Sequence, residues 1–514
     1  MRTLIFHGYL LRGTGSNVYT ASLAAALTHL GHEVHLLAQD RTPLEFDWVD
    51  AVGDWDGGAL RIEARREPAR TTVYRPDLGG PLPVYVADRY EGIEARLFAE
   101  LTDEQLEGYL DANVRAVREV VRRARPDLAL ANHLVMGPVI LARALAGSGV
   151  PYAVKVHGSA LEYTVKPHPR FLPWAREGVA GARAVLVGSR HTARSLWAAL
   201  EDPDLPARTR LGPPGVDTTA FRRRGPREAA NGLADLRRGL QARPAGAPAA
   251  AVSSFAADPA AGARALAGLD GRSEPLVGFV GKLLATKGID LLLAAWPLVL
   301  QRHPRATLVV VGFGDFAAAA RSMVAALAAG TPERALLHAR EAAGQRLAYL
   351  SRFVDGLTGA SRLGYVAGAR ALEERVRFTG RLDHGELVDL LPACRALVVP
   401  STFPEAFGMV AAEAAACGVP PVVAAHSGLA EVAQRLAEAL PAPEREWLAV
   451  DLGTEMVAAL ADRVASWLSL APRTRAERAA ALASVAAEDW GWDGVARTVL
   501  AAGRGCLDEL VRVE

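Results

Sequence analysis

Lysine is the scarcest charged residue of this chain: four Lys stand against 54 Arg in 514 residues. Cysteine is rarer still. The three present, Cys394, Cys417 and Cys506, are widely scattered, and match neither a disulfide framework nor a metal-ligand spacing. A reducing, cytoplasmic setting is the expectation that follows. An excess of one charge is also missing: the formal net charge of +1 offers no case for a nucleic-acid binder, which needs a pronounced basic excess or stripe. No apolar run approaches the roughly 20 residues that span a bilayer. The opening MRTLIFHGYLL is broken by Arg12 and Gly13, without a cleavage pattern, and reads as a first strand rather than a signal peptide.

What is present is an alternation of strands and helices. TLIFH (3–7), a glycine-containing loop, the helical VYTASLAAALTHL, Gly31 in the position of a C-terminal cap, and EVHLLAQ make a βαβ unit. DLALAN (127–132), YAVKVH (152–157) and AVLVGS (184–189) continue it. The pattern restarts at LVGFVG (276–281), followed by TLVVVG (307–312), RVRFTG (375–380), ALVVPS (396–401) and PVVAA (421–425). Near-continuous apolar strands separated by helices argue for parallel sheets covered on both faces. At this length two domains are expected. The reading is α/β, two doubly wound domains in tandem, over 1–215 and 216–489. Two insertions lie in the second half: 222–273, with two weakly helical patches, and 316–374, expected to be helical.

Ligands of open α/β sheets bind beyond the carboxyl ends of the strands. Those ends carry His7-Gly8, Asn132-His133 and His157-Gly158-Ser159 in the first half. In the second they carry Gly281-Lys282, Gly312-Phe313-Gly314, Gly380-Arg381 and Pro400-Ser401. All four lysines, Lys155, Lys166, Lys282 and Lys287, fall near such positions. Where Lys persists against an arginine-rich background, a compact ammonium suits a phosphate oxygen in a tight pocket better than a wide guanidinium. Chance clustering of a rare residue is the alternative, and composition does not separate the two.

FPEAFGMVAAEAAACGVP (403–420) is the most specific stretch. Glu405 and Glu413 are separated by seven residues, with a turn leading into a helix that ends at Gly418. Eight residues of helix advance about 12 Å. That spacing suits two carboxylates gripping opposite ends of an elongated ligand, poorly placed for a metal but good acceptors for sugar hydroxyls. Amides near Phe407 and Gly408 would favour a diphosphate at the helix N-terminus.

With these motifs the chain resembles the retaining family-4 glycosyltransferases of the GT-B fold, two Rossmann-like domains facing a central cleft. GTGSNVY (13–19), HGSALEY (157–163), GPPGVDTTAF (212–221), GKLLATKG (281–288), VVVGFGD (309–315), FTGRL (378–382) and EAFGMVAAE (405–413) carry the resemblance. DWGWDGVARTVL is similar to the family's closing helix, so 490–514 is expected to pack back on the first domain.

The resemblance implies a first domain for the acceptor and a second for a nucleotide sugar. Glu405 would bind donor-sugar hydroxyls and Glu413 the ribose. Lys282 and Lys287 would neutralise the departing diphosphate, although the family more often has Arg where Lys282 stands. His157 would lie near the anomeric centre. Gly281, Ala406, Phe407, Gly408 and Met409 would complete the donor site, with Gly380-Arg381 at the nucleobase. Gly13, Thr14, Gly15 and Asn17 would form the acceptor or phosphate loop.

The implied activity is hexosyl transfer to a hydroxyl of a small molecule, glycan or lipid, with no metal and no tightly bound cofactor. GSNVY resembles the loop of enzymes that glycosylate inositol phosphate. Arg115, Arg118 and Arg122 share a helix face that a membrane surface could meet, although a solvated face explains them as well. A nucleotide-sugar epimerase of the same architecture and an inactive nucleotide-binding scaffold are the competing readings.

Overall fold

A computed structural model describes residues 1–56, 58–86, 92–243, 257–344 and 347–514. The chain divides into two compact units, Met1–Gly215 with Trp490–Glu514, and Val216–Asp489.

The first unit contains β1 (Arg2–Phe6), β2 (Glu33–Leu37), β3 (Ala51–Asp56), β4 (Ala59–Ala64), β5 (Thr71–Arg75), β6 (Leu82–Val84), β7 (Ala95–Leu97), β8 (Leu128–Asn132), β9 (Tyr152–Val156), β10 (Val185–Val187) and β11 (Thr209–Leu211). Nine of these form one sheet in the order β11-β10-β9-β8-β1-β2-β5-β3-β4, while β6 and β7 pair separately. Every neighbour in the large sheet is parallel except the β3–β4 hairpin. The strand pleat sends alternate residues to opposite faces. Leu4 and Phe6 of β1, with Ala129 and Ala131 of β8, enter one apolar cluster; Ile5, Leu128 and Leu130 enter the other. Both faces are therefore covered, as a parallel sheet requires.

The helix Trp492–Arg504 supplies Val495, Ala496 and Val499 to the second of these clusters. The Trp492 ring meets the Tyr19 ring at 5.6 Å. A Cβ at position 503 would fall 2.9 Å from Leu128 Cδ1, so Gly503 lets this helix lie against β8.

The second unit contains β12 (Leu276–Val280), β13 (Thr307–Val311), β14 (Val376–Gly380), β15 (Cys394–Val399), β16 (Pro421–Ala424) and β17 (Ala449–Val450), in the all-parallel order β14-β13-β12-β15-β16-β17. Within 222–273 the described residues form helices Pro226–Ala242 and Pro259–Ala265; residues 244–256 lie outside the described residues. The described residues of 316–374 form five helical segments between Ala317 and Arg375. Its Tyr365 hydroxyl donates to the Ala294 carbonyl at 2.8 Å, fastening the insertion to the helix Ile289–Arg302.

The chain crosses to the other side of its first strand between β1 and β8 in the first sheet and between β12 and β15 in the second. Such a switch point leaves a crevice beyond the strand ends. The residues there are His7, Asn132 and His133 in one unit, Lys282 and Ser401 in the other.

Candidate functional site

In the second unit three segments converge at the switch point. After β12 the chain passes Lys282, whose Nζ lies 5.9 Å from the centre of the Phe313 ring. It then makes a single 3₁₀ turn, Ala285–Lys287. Gly288 has φ +70°, and a Cβ there would fall 2.0 Å from the Pro400 carbonyl oxygen. Only glycine permits this approach of the lysine turn to the end of β15. The contact is bolted by Thr286, whose carbonyl accepts from the Thr402 amide at 2.9 Å and the Ser401 hydroxyl at 3.1 Å.

The Glu405 loop is held from its other side. The Glu405 amide donates to Ser427 Oγ at 2.9 Å, and its carbonyl accepts from the Gly428 amide at 2.9 Å. His426 Nε2 donates to the Ser401 carbonyl at 2.6 Å. Ser427 occupies the left-handed region, φ 53°, which costs a residue with a Cβ. So fixed, the Glu405 carboxylate pairs with the Lys287 ammonium.

Glu405 lies on the loop, and the helix begins only at Met409, running to Ala416. The expected 12 Å helical rise between two carboxylates on one helix is corrected here: Glu413 alone is helical. The first amides of that helix have no partner within it, and Gly408, at φ 121°, is its N-cap. Ala406, Phe407, Gly408 and Met409 thus form the turn onto this helix end.

Glu413 is 2 % exposed and accepts a hydrogen bond from His384 Nε2 at 2.7 Å. Burial works against the imidazolium of His384. The Glu413 carboxylate, by charge and by hydrogen bond, and Asp217 outweigh it and raise the pKa. His384 also packs 5.0 Å from the Phe221 ring. Three residues earlier Arg381 pairs with Asp383 Oδ1 at 2.6 Å, and the Gly380 carbonyl accepts from Gly312. His384 was absent from the sequence reading; its nearness to Arg381 was the available signal.

In the first unit the strand-end histidines cluster. The His133 ring lies 5.5 Å from His7 and 5.0 Å from His157, and His157 meets Tyr19 edge-on at 4.8 Å. His7 Nε2 approaches the Leu10 carbonyl and Asn17 Oδ1, each at 3.0 Å; His7 Nδ1 faces Thr20 Oγ1 at 3.1 Å. Asn132 Nδ2 donates to Thr20 Oγ1 at 3.3 Å, and Asn132 Oδ1 faces His157 Nε2 at 2.7 Å. Burial pushes His7 down to about 4. Burial, followed by the nearby His133, Lys155 and His7, holds His157 well below its ordinary value.

Three expectations for this unit change. Asn17 is buried with both ends of its amide engaged, Nδ2 donating to the Arg12 carbonyl at 2.6 Å, so it anchors the loop rather than offering a ligand contact. Lys155 is buried within β9, donating to the Gly212 carbonyl at 2.5 Å. Lys166 is exposed and pairs with Glu162 one helical turn away, at 2.6 Å. Gly13, at φ 98°, is exposed beside Thr14, and Gly15 is the first residue of the helix Gly15–His29.

Two family models match: "Glycosyl transferases group 1" over residues 270–480 and "Glycosyl transferase 4-like domain" over 14–204. The D-inositol 3-phosphate glycosyltransferase of Segniliparus rotundus is 32 % identical over 252 residues, 48 % of this chain and 43 % of that protein. The chain spans less than half the length of the first curated relatives it matches. Among solved structures, sucrose-phosphate synthase from Thermosynechococcus elongatus superposes with a TM-score of 0.58 at 19 % identity, covering 99 % of each chain. Anabaena HepE in complex with UDP and glucose gives 0.56 at 16 %, covering 97 % of this chain and 98 % of its own. These likenesses share the fold.

Proposed function

Because this chain belongs to the group 1 family of glycosyl transferases, we propose that it moves a hexosyl group from a nucleoside diphosphate sugar to an acceptor hydroxyl with retention of anomeric configuration. The observation that carries this is the convergence of Lys282, the Lys287–Glu405 pair and a helix N-terminus at the switch point of the second sheet.

Cleavage of the bond from sugar C1 to phosphate oxygen leaves the electron pair on the diphosphate. Lys282, Lys287 and the helix amides stabilise that growing charge by preorganised electrostatics. The acceptor oxygen bonds to C1 on the same face, and its proton passes to the departing phosphate oxygen. Glu405 receives hydrogen bonds from donor-sugar hydroxyls, Glu413 from the ribose, and His157 from a sugar hydroxyl near the reacting carbon. Gly281, Gly380 and Arg381 border the nucleotide. Gly13, Thr14 and Gly15 form a loop that accommodates the acceptor. HepE, solved with UDP and glucose, supports a UDP-sugar as the first donor to try, with a GDP-sugar next. The inositol-phosphate relative supports a phosphorylated polyol as the first acceptor.

Thermal-shift titration with UDP, GDP and ADP, with and without magnesium, tests the donor site. A ligand binding only the folded state raises Tm according to RT ln(1 + [L]/Kd). One nucleotide stabilising the protein equally with and without magnesium is expected; no shift with any nucleotide overturns the lysine assignment. Products formed from donor without acceptor separate transfer from epimerisation.

A further inference from the structure

The hydrogen-bond chain from the β1 loop to His157 assigns protons one by one. The Leu10 carbonyl can only accept, so His7 Nε2 carries the hydrogen. Asn17 agrees: its Nδ2 donates to the Arg12 carbonyl, which leaves Oδ1 to accept from His7. His7 is neutral, with its pKa near 4, so its Nδ1 bears a lone pair facing Thr20 Oγ1. The single hydroxyl proton of Thr20 goes to that lone pair or to the Ser16 carbonyl at 2.9 Å. In both cases only a lone pair remains for Asn132, whose Nδ2 must donate. Asn132 Oδ1 is then turned to His157.

We infer that Asn132 is a positioning residue that holds His157 as the Nε2–H tautomer, leaving the Nδ1 lone pair as the atom that meets substrate. Among the described residues the hydrogen bond of the His157 ring is the one at Nε2, to Asn132. The surroundings also keep the ring neutral. His7 faces it from the end of β1, His133 from the end of β8, Lys155 from β9 and Tyr19 from the helix Gly15–His29. Among the described residues these neighbours include no carboxylate. A neutral acceptor with one fixed lone pair suits a sugar hydroxyl, whereas an imidazolium would only donate. This inference rests on the transferase reading for the role of His157, but not for its tautomer.

Nitrogen-15 NMR of histidine-labelled full-length protein, with His157→Gln to assign the signal, reads the tautomer directly. Protonated Nε2 and unprotonated Nδ1 at neutral pH are expected; the reverse, or rapid exchange between tautomers, overturns the inference. In turnover, Asn132→Leu should lower kcat by about 10- to 100-fold. In a His157→Ala background the same change should add less than about twofold; full additivity overturns the coupling. Asn132→Asp places a carboxylate on Nε2, so the acidic limb of the kcat profile should move up by about one pH unit or more; an unmoved limb counts against the inference. If the wild-type protein turns over no nucleotide sugar, the transferase reading fails, while the NMR result still decides the tautomer.

Discussion

Lys287 and Glu405, 118 positions apart, meet as an ion pair: the end of β15 fixes the lysine turn, and Ser427 and Gly428 hold the Glu405 loop. The pair cancels charge in the unliganded protein and keeps both side chains at the switch point. A diphosphate sugar has groups for both, phosphate oxygens for the ammonium and hydroxyls for the carboxylate. On the proposed function, donor binding would exchange one internal pair for two external contacts.

Lys287→Ala should therefore lower kcat by about 30- to 1,000-fold, the equivalent of roughly 2–4 kcal/mol of lost transition-state stabilisation. The side chains of the pair are about a quarter exposed, so its loss should move Tm by only about 3 °C or less. Initial-rate kinetics beside a melting curve check both halves, and near-normal turnover removes Lys287 from the mechanism.

His384 supplies a pH signature. Its pKa is raised in the folded state, so its contribution is complete below the ordinary histidine value of about 6.5 and is lost as pH rises through the higher folded value. The ring is 37 % exposed, and after allowance for solvent screening the effect is below about 1 kcal/mol. His384→Ala should flatten the pH dependence of stability across this window and weaken nucleotide binding through a less ordered Glu413. Denaturation midpoints from about pH 6 to 8 test the first effect; a slope unchanged by the substitution contradicts it.

Asp290 runs the other way. It is buried in the first turn of its helix, and burial pushes its carboxyl up to about 7 against backbone hydrogen bonds that lower it. The unfolded chain releases this proton from about pH 4, so stability falls between there and about 7 and levels off above. Asn at this position should remove that slope and gain about 1–3 kcal/mol at alkaline pH. Urea denaturation of wild type and Asp290→Asn at acid and alkaline pH checks it; equal slopes exclude the assignment.

Lys155 is a base with the same problem, pushed down to about 7 by burial. The unfolded chain binds its proton up to about pH 10, so stability attributable to this residue rises between about 7 and 10. Lys155→Met keeps the packing volume and should make the protein more stable near neutral pH, as replacing a buried charge often does. Loss of stability at pH 7 would mean that the bond to Gly212 outweighs the desolvation.

The scarcity of lysine singled out all four lysines alike, although Lys155 bonds the Gly212 carbonyl and Lys166 pairs with Glu162; the strand ends were legible because buried parallel strands leave continuous apolar runs such as TLVVVG. Residues 40–110 were not, since Ala59–Ala64 carries Arg61 and Glu63 on a solvent-facing edge strand that looks like loop in one dimension. The position of Glu405 was misread for a related reason: a helix start after glycine is decided by the clamp from Ser427 and Gly428, far downstream. Asn132 and Thr20 are 112 positions apart, and no local spacing announces that one orients the other. His384 likewise gains its meaning only beside Glu413.

The helix Trp492–Arg504 has a consequence for biosynthesis. Its apolar face belongs to the core of the first unit, yet it is translated after the whole of the second. On the ribosome, Val216–Asp489 can complete its sheet while Met1–Gly215 still lacks a wall. The half made first is the half finished last, and a stop codon near position 490 would spare the younger unit while leaving the older one open.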